Sequence, residues 1–238
     1  NLILESGYNI KSDIIYYNIN KNLVISNKKT TFTDSDGNII FTEGFQYDLE
    51  KNLFSSVGNI KIIDANKNHY FFKELHVNTK TREIIASDVS TIMNQKNFGL
   101  DGESDPRFVA NSAQITSDQS IFIKCIFTVC KKRDGENPPW TLQAKKITHD
   151  KVKKTIYYDS ALLKVYGVPI FYFPKFFHPD PTAERQSGFL NPFFTDSTAV
   201  GTGFGMPYFW AIGKDRDLTF TPKVYANENI LFLNEYRQ

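Results

Sequence analysis

A step of 30 residues recurs in the first half of the chain, and it restricts the fold more than any other feature. YNINKNLVIS begins at Tyr17, YDLEKNLFSS at Tyr47 and VNTKTREIIAS at Val77, so the interval is 30 residues each time. Turn formers keep the same step: DSDGN around Asp36, DANKN around Asn66 and NQKN around Gln95. Asn, Asp and Gly tolerate the left-handed backbone that tight turns require, so each unit is expected to hold two short strands. A fixed period of this size predicts stacked units that bury their apolar faces against neighbours. Two stretched copies follow, ITSDQSIF near Asp118 and ITHDKVKKTIYY near Asp150, separated by the loop KKRDGENPPW.

Composition agrees with an all-β chain. Of 238 residues 41% are hydrophobic, enough for a core, and 21 Phe and 12 Tyr against 2 Trp favour strands. No long 3.6-periodic run or capping box marks a helix. A formal net charge of +2 gives no support for nucleic-acid binding. No apolar run reaches the ~20 residues of a membrane helix, and no signal peptide is visible at the N-terminus. The last residues, NILFLNEYRQ, read as an unfinished strand, so a fragment cut at one or both ends is expected.

The pattern changes after Gly188. In VGTGFGMPYFW, Val200, Thr202, Phe204, Met206, Tyr208 and Trp210 fall on one face; Gly201, Gly203, Gly205, Pro207 and Phe209 fall on the other. LTFTPKVY repeats the alternation, with Leu218, Phe220, Pro222 and Val224 opposite Thr219, Thr221, Lys223 and Tyr225. Period two over about ten residues ending in Tyr and Trp fits a membrane barrel strand, and it fits a sandwich strand too. Pro192, Pro207 and Pro222 sit in three successive candidate strands at steps of 15 residues. Proline cannot donate to a ladder, and each missing bond removes roughly 1 kcal/mol net. A barrel built to unzip at one seam makes use of that loss.

Candidate chemistry is sparse. Cys125 and Cys130 have no second pair or His cluster nearby, so no metal site is expected; a disulfide and two free thiols both stay open. His149-Asp150 and His178-x-Asp180 lack a nucleophile elbow, and no catalytic residue or cofactor is expected. His69 and His76 read as surface or packing residues, and Lys131, Lys132 and Arg133 as a solvated loop. Ile14, Ile60, Ile62, Ile84 and Ile147 are candidates for an apolar groove lining, with plain core as the competing role.

The stretch GVPIFYFPKFFHPDPTAERQSGFLNPFF, followed by MPYFWAIGKDRDLTFTPKVY and LFLNEYRQ, resembles the LPS-assembly outer-membrane protein family LptD, also called organic solvent tolerance or OstA, from Gly167 to Gln238. The repeat before it is similar to that family's periplasmic jelly roll. The resemblance implies a jelly roll over residues 1–165, a Pro/aromatic hinge over 166–188 and the first strands of an incomplete outer-membrane β-barrel over 189–238. It implies that the jelly roll takes the acyl chains of lipopolysaccharide and that the barrel releases the molecule sideways through a gate beside its first strand. Pro192 and Pro207 match the prolines that weaken that gate; Pro222 carries no such role over. An LptE-like plug lipoprotein and an LptA-like periplasmic bridge protein are the implied partners. The family joins its domains by disulfides, and either a local Cys125–Cys130 bond or a link to an absent cysteine fits the spacing. The expected location is the outer membrane, with the N-terminal domain in the periplasm. The competing readings are a cell-surface β-solenoid adhesin, a porin-like channel without lipid transport, and a β-helix polysaccharide lyase. The lyase would need Asp, Lys or Arg clustered on one face of the stack, which the sequence lacks.

Overall fold

A computed structural model describes residues 2–3, 9–94, 104–133, 135–180, 187–190, 192–226 and 228–238. Among these the secondary structure is strand apart from one 3-10 turn at Ile19–Lys21, and no helix is long and apolar enough to cross a membrane. The chain divides into two compact units, residues 1–152 with 157–176, and residues 153–156 with 177–238.

The first sheet is an antiparallel meander. Its strands are β1 (Leu2–Ile3), β2 (Asn9–Ser12), β3 (Tyr16–Asn18), β4 (Leu23–Ser26), β5 (Thr30–Thr33), β6 (Ile39–Thr42), β7 (Phe45–Asp48) and β8 (Leu53–Ile63). They continue as β9 (His69–Asn78), β10 (Ile84–Ile92), β11 (Arg107–Ile115), β12 (Gln119–Thr128), β13 (Trp140–Asp150), β14 (Thr155–Val165) and β15 (Val168–Pro179). The order β1-β2-β5-β6-β8 carries a branch, β3-β4-β7-β8, and the two meet on β8. The far half of β8 pairs with β6 (Ile40↔Ile62), and its near half with β7 (Tyr47↔Phe54).

The branches are the two halves of one folded sheet. Phe32 of β5 lies 4.9 Å from Phe45 and 5.3 Å from Phe54, which belong to the other branch. Ile10, Phe32 and Phe45 form the buried cluster there, with Val24, Ile40 and Tyr47 packed against it. Early strands break at the fold, between Ser12 and Tyr16, Ser26 and Thr30, and Thr42 and Phe45. The broken backbone is satisfied locally: Ser56 Oγ and Thr42 Oγ1 each donate to Gly44 O at 2.7 Å, and Ser26 Oγ donates to Ile14 O at 2.7 Å. Later strands run through the fold on a single left-handed residue, Gly58 in β8 (φ 116), Asp88 in β10 (φ 50), Lys124 in β12 (φ 53) and Ser160 in β14 (φ 51). An isolated residue of this conformation re-aims a strand without ending it. The result is the expected all-β, jelly-roll-like sheet.

The 30-residue step is a step of turns. At one end Asn18, Asp48 and Asn78 accept from the backbone N–H three residues on, at 3.1, 3.0 and 2.9 Å. Left-handed Asn22, Asn52 and Arg82 close the same turns. At the other end Asp34 and Asp64 accept from the N–H of Asn38 and Asn68, both at 2.8 Å. Each of these asparagines then accepts from the next turn, Asn38 Oδ1 from Ala65 N at 3.1 Å and Asn68 Oδ1 from Asn94 N at 2.8 Å. The rest of the third breaker, residues 95–97, lies outside the described residues.

The Pro/aromatic stretch expected as a hinge is strand as far as Pro179: β15 covers 12 residues and borders β14. Its prolines are tolerated because an edge strand needs donors on one side only. Stacked rings of Tyr158 and Phe176, 4.3 Å apart, fix it by side chains as well.

The second sheet is a four-stranded meander. Its first strand is β16 (Gly188–Phe189) continued by β17 (Phe193–Ser197), and its second is β18 (Gly201–Gly205) continued by β19 (Tyr208–Ala211). β20 (Asp217–Tyr225) and β21 (Leu231–Arg237) are the third and fourth. VGTGFGMPYFW, expected as one strand, is therefore interrupted at Met206-Pro207. Both pieces keep one register on β20 (Gly205↔Lys223, Tyr208↔Phe220), so the strand is nicked and not redirected.

Candidate functional site

The first sheet offers an apolar interior. Ile60, Leu75, Ala86, Ala110, Cys125, Ala144 and Ile147 are all buried, with Ile60 and Leu75 each 1% exposed. Among the candidate lining residues, Ile60 and Ile147 are core, and Ile62 and Ile84 are half-buried on the same face, next along their strands from Ile60 and Ala86. Ile14 stands apart at a strand break, 43% exposed. From β10 onward the residues flanking the fold are mostly small, whereas the Phe32–Phe45–Phe54 cluster fills the earlier strands. The interior is largely apolar, with hydroxyls of Ser26, Thr30, Thr42 and Ser56 buried at the corner of the early strands, a lining that suits hydrocarbon better than ions.

Cys125 and Cys130 are free thiols. Cys125 faces inward at mid-strand, between Ala110 and Ala144 on the neighbouring strands, and Cys130 lies two residues past the end of β12. Cys125 lies within β12 and Cys130 past its end, where its N–H is held by Thr128 Oγ1 at 3.1 Å, and the two thiols are not joined here. Burial pushes the Cys125 thiol up to about 12. Its thiolate is correspondingly scarce, and the group behaves as a small hydrophobe.

One polar constellation escaped sequence reasoning. His76 Nδ1 lies 2.9 Å from Ser55 Oγ, and His76 Nε2 lies 3.2 Å from Glu74 Oε1. Ser55 and His76 oppose each other across β8 and β9 on the outward face, so only the strand register brings them together. Flat ladders spend their backbone donors on each other, and an oxyanion site needs free ones. The trio is a cross-strand polar contact. His178 Nδ1 lies 2.7 Å from Pro179 O, and Asp180 N donates to Lys154 O, which ties that end of β15 locally. Among the described residues no cluster of His, Cys, Asp and Glu could hold a metal ion.

The second sheet offers a weakened ladder. Met206 donates its N–H to Pro222 O at 3.3 Å, which turns the backbone of Met206 toward β20. Pro222 cannot return the bond. Gly205, one residue earlier, therefore turns toward β17, where it opposes Phe193. Leu190 donates to Pro207 O at 2.8 Å, and Pro207 likewise has nothing to return. Between these two anchors the first strand advances three residues, Leu190 to Phe193, while the second advances two, Pro207 to Gly205. That is one residue more on the first strand, as at a β-bulge, in the step between Leu190 and Phe193 that holds Pro192. Pro192 directly precedes Phe193, the first residue of β17. One register step beyond Gly205↔Lys223, Met206 faces Pro222, which opposes Phe232 of β21. Pro207 adjoins that row on the second strand, and Pro192 lies between the two pieces of the first.

The bulge preserves the sidedness of the first strand. Phe189, before it, packs on Tyr208 at 5.1 Å, and Phe194, after it, packs on Phe204 at 5.2 Å, on the same face. Phe194 (77%) and Phe232 (55%) stand out from that face, with Trp210, Phe220 and Val224 exposed beside them. The opposite face carries Thr195, Gly203, Gly205, Thr221 and Lys223, together with Asp217, which accepts from Arg237 at 2.8 Å. One face is apolar and uncovered while the other mixes these polar groups with Phe193, Phe209 and Tyr225, a sidedness compatible with a strand between lipid and a lumen.

Sequence comparison bears on both units. Residues 156–237 match the family model described as LptD protein. LPS-assembly protein LptD of Shewanella denitrificans is 28% identical over 213 residues, covering 86% of this chain. The chain is LptD-like over most of its length. LptD of Shewanella frigidimarina is 29% identical over 203 residues (84% of this chain), and that of Shewanella oneidensis is 33% identical over 129 (54%). The chain spans about a quarter of the length of the first two relatives, 26% in each case, and 16% of the third. The LptD model covers the bulge, the proline row and the apolar face; the likeness to whole LptD chains extends back into the folded sheet.

Proposed function

We propose that this chain is part of a lipopolysaccharide transport and assembly protein of the outer membrane. The relatives' name, LPS-assembly protein LptD, supports that reading. In it the folded sheet is a periplasmic domain that receives acyl chains in its apolar interior. Each buried methylene is worth about 0.8 kcal/mol, so a lipid with several chains needs continuous shelter from water. Ile62 and Ile84 are the lining positions where a chain would be met. The second unit is the beginning of a β-barrel, since only helices and closed barrels satisfy their backbone within a bilayer. Lipopolysaccharide leaves sideways beside the first strand. An LptA-like bridge protein on the periplasmic side and an LptE-like plug in the barrel are the partners. The chain performs no chemistry of its own.

The proline row is the observation that carries this reading. Pro192, immediately before Phe193 of the first strand, has no N–H to give a closing strand. A permanently sealed barrel gains nothing from such a gap, whereas a seam that opens does. The test is site-specific photo-crosslinking in the full-length protein during export. A crosslinker at Ile62 or Ile84 is expected to capture lipopolysaccharide, and one at the outward Ile85, 57% exposed, is not. Equal capture at all three positions, or none at the inward two, overturns the acyl-chain route.

A further inference from the structure

Phe108 of β11 and Phe122 of β12 meet edge to face, with ring centroids 5.0 Å apart and planes at 78°. The ladder does not put them together. Phe122 opposes Ala113, and Phe108 opposes Phe127, five residues past Phe122. Along flat strands that offset is about 16 Å. The bend supplies the contact. β12 turns at left-handed Lys124, between Ile123, which opposes Ser112, and Cys125, which opposes Ala110. Phe108 lies on one side of that bend and Phe122 on the other, so their rings meet across the fold.

Both rings are on the inward side. Phe108 lies two residues from Ala110, 1% exposed, and Phe122 sits between Ala113 and Ile147 on the flanking strands, 4% and 7% exposed. The rings themselves are only half-buried. Phe32 and Phe45 make a similar contact in the early strands, but they are fully buried and belong to the permanent core. Nearest the bend on β11 and β12 are Ala110, Ala113 and Cys125, all small and all buried. Two large rings thus close over small side chains, and parting them would bare an apolar path along the crease.

We infer that Phe108 and Phe122 form a releasable clasp across the folded sheet, and that a passing acyl chain takes the place of their ring contact. The inference rests on the acyl-chain reading proposed above and names where the closed interior yields. The chemistry suits a saturated tail. A single edge-to-face contact is weaker than burial of a whole chain, so the chain can displace it. Exchanging ring against ring for ring against methylene strips no polar group of a partner, so passage meets no desolvation barrier at this point. Rings that close again behind the chain keep the two halves of the sheet joined and the lining dry.

The experiment uses the full-length protein reconstituted in lipid nanodiscs. In the variant Phe122→benzoylphenylalanine, illumination before lipopolysaccharide is added is expected to join β12 to β11 near Phe108. Added lipopolysaccharide should lower that internal crosslink at least fivefold and be captured at the same position. Capture with the internal crosslink undiminished would mean that the rings never part, and the clasp is wrong. Capture at Ile62 and Ile84 but none at Phe122 would carry the chain past another surface and overturn the clasp as well. Capture at none of the three would count against the acyl-chain reading, leaving the clasp to its second readout. That readout is hydrogen exchange in the protein without lipopolysaccharide. Phe108→Ala is expected to speed exchange about tenfold at the amides of residues 107–110 and 119–123, and Val109→Ala, at an exposed position beside it, to leave it unchanged. Native rates in Phe108→Ala overturn the clasp whatever the lipid does.

Discussion

Met206 gives its N–H to Pro222 across a 3.3 Å bond and receives none in return. The pair adjoins Pro207 on the second strand, so a substitution that restores a donor there acts on the proposed gate and not on the apolar faces. Pro222→Thr is expected to add a ladder bond, worth about 1 kcal/mol. Thermal unfolding of the full-length protein should move up, and lipopolysaccharide export should slow by less than in Pro192→Thr/Pro207→Thr. Export at the native rate in the double variant would remove the prolines from the mechanism.

The two thiols should differ sharply in reactivity. Cys125 is buried and its pKa is pushed up to about 12, so its thiolate is suppressed throughout the neutral range. Maleimide at pH 8 is expected to label Cys130 in the folded protein and Cys125 only after denaturation. Prompt labelling of both, or a loss of free thiols on mild oxidation through a bond between them, would contradict the strand geometry.

Lys124 holds a left-handed backbone in the middle of β12. Glycine accepts that conformation freely and valine resists it. Lys124→Gly is expected to be neutral or stabilising, and Lys124→Val to cost about 1–2 kcal/mol by denaturant titration. Equal stabilities would mean that the fold does not need the kink.

Asn68 is held by Asp64 and in turn holds Asn94 N at 2.8 Å, joining one turn to the next. Asn68→Ala leaves those groups without this partner, and a loss of about 1–2 kcal/mol is expected, with faster hydrogen exchange confined to the adjoining turns.

Acid should loosen the other end of the stack. The backbone N–H of Lys51, foremost, holds the Asp48 carboxyl below its ordinary range. A depressed carboxylate stabilises above its unfolded pKa, and that contribution fades as pH falls through the folded one. Asn18 and Asn78 occupy the same turn position without a charge. Asp48→Asn is therefore expected to keep the turn and flatten this part of the acid response, measured as Tm against pH.

The repeat was legible because turn chemistry is local. Asn18, Asp48 and Asn78 cap their turns through residues three positions away, so the sequence carries the whole interaction. Sidedness after Gly188 was legible for the same reason, since alternation needs only a strand. The corner of the first sheet was not. Gly58, Asp88, Lys124 and Ser160 do one backbone job with four different side chains, and three of them rarely adopt that conformation. The bulge at Pro192 was hidden as well, because it exists only as a mismatch between two strands. Ser55 and His76 met for a reason of the same kind, a register that neither strand specifies alone.

From β8 to β15 every strand of the folded sheet is hydrogen-bonded to the one that precedes it in the chain. Such a sheet can grow as its polypeptide is delivered, each new hairpin closing on a template already in place. No segment has to wait for a distant mate. Assembled in the order of its arrival, the sheet would spend little time exposing its apolar surface to water.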